Sequence, residues 1–123
     1  GPIQRVRRSV TEPLTLGGKQ LAAGDAVWLL VGAANRDPAV FPDPDRLDVR
    51  RRPTRHLTFG LGPHFCVGAG LARVEGPIVL GTVLRRLRDL DGPTDGLTWR
   101  QDLSFRGVAS LPLTFTPTRS ETP

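Results

Sequence analysis

A chain of 123 residues with 14 Gly, 12 Pro and one Cys makes at most one small domain, rich in turns and without an internal disulfide. Its hydrophobic and charged fractions, 38% and 24%, suit a soluble globular protein, and no apolar run nears the roughly 18 residues that spanning a bilayer needs. The net charge of +5 raises the question of nucleic acid, but the arginines are scattered and no aromatic ladder accompanies them, so neither a nucleic-acid nor a membrane partner is expected.

At the start, Arg5, Arg7 and Arg8 are followed by no apolar stretch, unlike a signal peptide, and with the single cysteine this suits a reducing cytoplasm. The absence of Met and the opening on Gly1 suggest a fragment, although removal of an initiator Met before Gly gives the same start. Residues Gln4 to Thr11 read as extended. Leu14 to Leu16 and Gln20-Leu21 flank Gly17-Gly18, a pair able to supply the positive φ angles of a tight hairpin turn. Ala26 to Val31 is a short apolar run closed by Gly32, which predicts a buried strand.

From Asn35 to Thr58 proline, aspartate and arginine dominate and favour turns, so an ordered but irregular coil is expected, anchored by Phe41, Leu47 and Val49. Within it, Arg50 to Arg55 reads as a solvated face. Leu71, Val74, Ile78, Leu80, Val83, Leu84 and Leu87 recur at helical spacings and predict one helix, about residues 67–88, distorted at Pro77. Beyond Asp91-Gly92-Pro93 lie short β-like pieces at Leu97 to Arg100 and Leu111 to Thr116, and Arg119 to Pro123 are expected to fray. Two β units and one helix make an α+β chain with a thin basis for its own core.

The chemistry concentrates in the run from Phe59 to Gly68, which sets the single cysteine, Cys66, behind a glycine-bearing loop at the mouth of the predicted helix. Amides at a helix N-terminus suit an anionic sulfur, and Gly60, Gly62 and Gly68 let backbone approach a large flat partner. Alone, Cys66 reads as a small buried hydrophobe, since free cysteine is commonly buried. A Cys-His nucleophilic pair is poorly served, because His64 stands two residues from Cys66 and no orienting third group is evident.

This run resembles the cytochrome P-450 haem-binding signature, Phe-x-x-Gly-x-His-x-Cys-x-Gly, at every fixed position, and Leu71-Ala72-Arg73 with Glu75 continues it as in bacterial members. Upstream, Asn35-Arg36-Asp37-Pro38, Phe41-Pro42-Asp43-Pro44, Leu47-Asp48 and His56-Leu57-Thr58-Phe59 follow the family's order and spacing. The resemblance implies the carboxy-terminal third of the mostly helical P-450 fold, a partial domain over residues 1–123 with the haem-binding loop at 59–68. It implies haem b (iron protoporphyrin IX), with Cys66 as proximal thiolate ligand accepting amide bonds from about Gly68 and Ala69. His64 and Arg8 match the propionate partners, with His56 a lesser candidate, and Phe59 matches the aromatic that shields the sulfur.

It implies too a monooxygenase inserting one oxygen atom from O2 into a small organic substrate, with electrons from NAD(P)H through ferredoxin reductase and ferredoxin. Arg73 and Arg50 to Arg52 are expected to steer that acidic ferredoxin. Leu30 to Ala33 resembles the strand beside the substrate pocket. The family's distal acid-alcohol pair and its Glu-x-x-Arg pair do not occur, so the isolated chain is expected to turn over no substrate. The rival reading is a truncated, non-enzymatic haem-binding or scaffolding piece.

Overall fold

The computed structural model describes residues 1–52 and 55–118, which divide into two compact units. The first comprises Gly1–Thr58 with Gln101–Gly107. Its strands are β1 (Val6–Ser9), β2 (Leu14–Leu16), β3 (Lys19–Leu21) and β4 (Ala26–Leu29). β2 and β3 form the expected hairpin, its turn made by Gly17 and Gly18 at φ +55° and +77°, the doubly left-handed backbone that matches strand twist. β1 pairs antiparallel with β4, Arg7 opposite Trp28 and Arg8 opposite Val27. Asp25 closes the loop between hairpin and β4: its carbonyl accepts the Val10 amide at 2.9 Å and its carboxylate the Ala22 amide at 2.8 Å.

The strand expected to reach Val31 stops at Leu29, and Val31–Ala34 is instead a short helix, α1, so Leu30 to Ala33 is not a strand. The reason is close backbone packing. The Gly32 amide donates to the Gln4 carbonyl at 2.9 Å, and a Cβ on Gly32 would lie 3.3 Å from Gln4 Cα, closer than most such contacts.

The coil after α1 is held by side chains standing in for a ladder. Asn35 accepts the Leu57 amide at 2.7 Å and donates to Thr58 Oγ1 at 3.3 Å, tying the coil's end to its beginning. Asp37 caps the Ala39 amide, Arg36 pairs with Asp45, and Arg51 donates to the carbonyls of Pro42, Asp43 and Arg46. The exposed Arg36–Asp45 pair contributes at most about 1 kcal/mol, and the Arg51 contacts, exposed as well, gather three carbonyls of the coil onto one guanidinium.

Residues 101–107 return to this unit through an Ile3–Phe105 bridge and the Ser104 carbonyl, which accepts the Gln4 amide at 2.7 Å. The Arg5 guanidinium lies 4.4 Å from the Trp28 ring centroid, a contact typically worth about 0.5–1 kcal/mol at an exposed site.

In the second unit, Phe59–Arg100 with the chain from Val108 onward, a 3-10 turn at Gly62–His64 leads into α2, Ala69–Arg86. The helix runs unbroken through Pro77 and ends before the predicted limit, because Leu87–Asp91 turns into β5, paired antiparallel with β6 (Thr114–Pro117). Thr118 closes the exit: its amide donates to the Arg86 carbonyl at 2.9 Å, and its hydroxyl, with one proton to give, lies 2.9 and 3.0 Å from the Arg85 and Arg86 carbonyls, so helix-end carbonyls gain donors. The β-like piece at Leu97 to Arg100 reduces to a Trp99–Val108 bridge, and the one at Leu111 to Thr116 becomes β6. The expected fraying of Arg119 to Pro123 falls outside the described residues.

Burial is sparse. Val10, Val31 and Ala69 are the buried hydrophobic residues among those described, whereas Leu71, Val74, Ile78, Leu80 and Leu84 stand exposed along α2. No helix among the described residues is long and apolar enough to cross a membrane.

The return segment carries a pH-sensitive fastening. The amides of Phe105 and Ser104 hold the Asp102 carboxyl below the ordinary aspartate range, against a smaller effect of desolvation, with Arg5 adding to the lowering. A carboxyl lowered in the folded state stabilises it above the ordinary range, and that contribution is lost as pH falls through the folded value. The amide proton shifts of Ser104 and Phe105 are therefore expected to move only below the ordinary aspartate range, in a step absent from Asp102→Asn; an identical acid step in the variant would contradict this.

Candidate thiolate site

The loop from Phe59 to Gly68 is shaped by two left-handed glycines and closed by one backbone bond. Gly60 and Gly62 both sit at φ +72°, which turns the chain twice within three residues. The Phe65 amide donates to the Gly62 carbonyl at 3.0 Å, forming the 3-10 turn, and the Cys66 amide donates back to the Phe59 carbonyl at 2.9 Å. The loop thus begins and ends on that contact, with Cys66 exposed just ahead of α2.

The expectation that the helix start turns its first amides toward the sulfur is not met. Instead the Ala69 amide donates to the Cys66 carbonyl at 3.2 Å, and the Ala72 amide opens the helical ladder on Gly68 at 2.9 Å. Gly68 has an ordinary helical backbone, φ −79°, and a Cβ there would make ordinary van der Waals contact with Cys66 Sγ at 3.8 Å, so neither backbone nor space within the chain itself demands glycine.

Around the thiol the surface is apolar and open. Leu61, Phe65 and Val67 are exposed, and Val67 projects fully. His64, last residue of the 3-10 turn, is exposed as well. An exposed sulfur among exposed apolar side chains, on a loop narrowed by glycine, fits a flat, largely apolar ligand better than it fits a packed core. Among the described residues no group of three or more His, Cys, Asp or Glu side chains could hold a metal ion. A porphyrin brings four nitrogens of its own and asks the protein for only an axial ligand, which Cys66 can provide.

Phe59, expected to shield the sulfur, makes an edge-to-face pair with Phe65, centroids 6.3 Å apart at 61°. The Arg73 guanidinium lies 5.4 Å from the Phe59 ring centroid. That partnership is not apparent in the sequence, where fourteen positions separate the two residues and neither periodicity nor motif joins them.

Arg8 and His56 belong to the first unit. Strand alternation separates the arginines of β1: Arg7, opposite Trp28, shares a face with Arg5, while Arg8, opposite Val27, lies on the other face and donates to the Arg7 carbonyl at 2.9 Å. Arg5 is engaged by Trp28, which leaves Arg8 the better candidate for an outside anion. The exposed His56 accepts the Thr58 amide through Nδ1 at 3.3 Å.

Because Gly60 and Gly62 require left-handed backbone, Gly60→Ala and Gly62→Ala are each expected to lower stability by about 1–2 kcal/mol. Denaturant midpoints check this; a change within experimental error at both positions would contradict the loop geometry.

The likenesses of the chain to known proteins agree with its signature. The Cytochrome P-450 family profile matches residues 2–105. The biotin biosynthesis cytochrome P-450 of Bacillus subtilis is 40% identical over 114 residues, 93% of this chain and 29% of that protein. Cytochrome P-450-SU2 of Streptomyces griseolus is 46% identical over 110 residues, 88% of this chain and 27% of the relative. The crystal structure of P-450BioI in complex with a hexadecenoic acid-ligated acyl carrier protein superposes with a TM-score of 0.86 at 41% identity, covering 94% of this chain and 30% of that one. The chain thus spans under a third of the length of these relatives. With a profile match over most of its length and relatives at such identity, the chain belongs to the cytochrome P-450 family.

Proposed function

We propose that these 123 residues form the carboxy-terminal third of a haem-thiolate monooxygenase, with Cys66 as the axial ligand of the iron. The observation that carries the reading is the exposed Cys66 thiol on a glycine-shaped loop closed onto Phe59. His64 and Arg8 are assigned to the propionates of haem b, with His56 as a lesser candidate, and Gly60 and Gly68 to backbone clearance. Cys66 is exposed in the chain alone, and in the haem-loaded longer protein Phe59 is assigned to shield the sulfur from water, which would guard it from protonation and oxidation. When bound, the haem supplies the O2 chemistry by which one oxygen atom enters a small organic substrate, with electrons drawn from NAD(P)H through a ferredoxin and its reductase.

The chain's own part is to bind and orient. It presents one thiolate, two propionate partners and a basic coil on which Arg50 and Arg52 are exposed. That coil suits an acidic electron donor, whose approach is favoured by charge at low salt. No residue here is assigned to proton delivery, so turnover belongs to the longer protein, which we place in the cytoplasm. A second reading, a non-enzymatic haem-binding piece, is favoured by one observation: an α2 whose apolar side chains are largely exposed implies that these residues depend on further protein for a core.

The test is the ferrous carbon-monoxide spectrum, which is strongly red-shifted only for a thiolate-ligated haem. It is recorded on the chain with added haem, and on a chimera in which the chain replaces the matching segment of the Bacillus subtilis relative. The red-shifted band is expected in the chimera and absent from its Cys66→Ser counterpart. The same band in both, or an unshifted band in both, would overturn the ligand assignment. The isolated chain is expected to hydroxylate nothing with ferredoxin and reductase; sustained, coupled product formation would refute that part.

A further inference from the structure

Arg73 lies in the second turn of α2 and its guanidinium stacks on Phe59, the residue whose carbonyl receives the Cys66 amide. The ring is held from two sides, by Arg73 at 5.4 Å and by the edge-to-face Phe65 at 6.3 Å, and Phe65 is itself the neighbour of Cys66. The helix after the cysteine is thereby connected to the residue that opens the loop before it. Phe59 stands just ahead of two left-handed glycines, and the Arg73 contact ties its ring to α2 across them.

We propose that Arg73 is a positioning residue for Cys66: its guanidinium on the Phe59 ring steadies the carbonyl that holds the Cys66 amide, and so steadies the backbone from which the sulfur projects. This rests on the reading of Cys66 as the functional thiol, but the mechanical link stands without any ligand. It also gives Arg73 an internal task in place of the purely electrostatic one expected for it. Arginine suits the task better than lysine, because a planar, weakly hydrated cation stacks on a ring at lower desolvation cost.

The link is read by hydrogen exchange of the Cys66 amide in the full chain, with no haem added. A cation on an exposed ring contributes enough that its loss speeds local opening roughly two- to five-fold. Arg73→Gln is expected to accelerate Cys66 exchange by that factor, and Arg73→Lys to restore most of the protection. The Leu87 amide, bonded to the Val83 carbonyl at the other end of α2, should be unaffected. In a Phe59→Leu background, Arg73→Gln should add nothing, because the ring through which it acts is gone. The proposal is overturned if Cys66 exchange is unchanged in Arg73→Gln, if Leu87 accelerates equally, or if the full effect persists without the ring. Loss of the carbon-monoxide band with this coupling intact would remove the ligand reading alone.

Discussion

The bond from the Cys66 amide to the Phe59 carbonyl, 2.9 Å long, is the constraint on which the site depends. It is a backbone bond at the surface, of a kind worth only about 0.5–1.5 kcal/mol net, yet it sets the geometry of every nearby group. It closes a loop that two left-handed glycines have already bent, so that the chain enters α2 with Cys66 outside the helical ladder and exposed. Remove the closure and the glycines leave the cysteine backbone with many accessible directions; keep it and the direction of the Cys66 Cα–Cβ bond is narrowed before any ligand arrives. Preorganisation of this kind lowers the ordering cost that binding would otherwise meet.

The first unit reaches order by a different route. Its coil has almost no ladder, and Asn35, Asp37 and Arg51 satisfy the backbone groups that a strand or helix would have satisfied. That explains how a stretch so rich in proline and aspartate holds a defined path. It also explains why charge is plentiful there without strong ion pairing, since most of these side chains address backbone rather than one another. At and just before β1 the arginines are likewise separated, Arg5 on Trp28 and Arg8 on the opposite face.

The candidate site was legible in the sequence because its residues lie close together in the chain: Phe59, Gly62, His64, Cys66 and Gly68 fall within ten positions. The hairpin was legible for the same reason, Gly17-Gly18 being a local signal with a local cause. The features that escaped depend on residues distant in the chain. Leu87 continues the helical spacing of α2, but Thr118 caps the Arg85 and Arg86 carbonyls and β6 pairs with Leu87 and Arg88, so β5 replaces the last helical turn. Gly32 reads as the end of a strand, and only its contact with Gln4 shows why the chain coils there. The Arg73 contact with Phe59 was hidden likewise, and helical periodicity could not reveal that the apolar positions of α2 would stand exposed.

The central claim, that Cys66 binds the haem iron directly, is most directly tested by iron-edge X-ray absorption on the haem-loaded chimera carrying this chain. The account predicts one sulfur scatterer at bonding distance from the iron, lost in Cys66→Ser. A first shell of nitrogen and oxygen alone in the unmutated protein would contradict it.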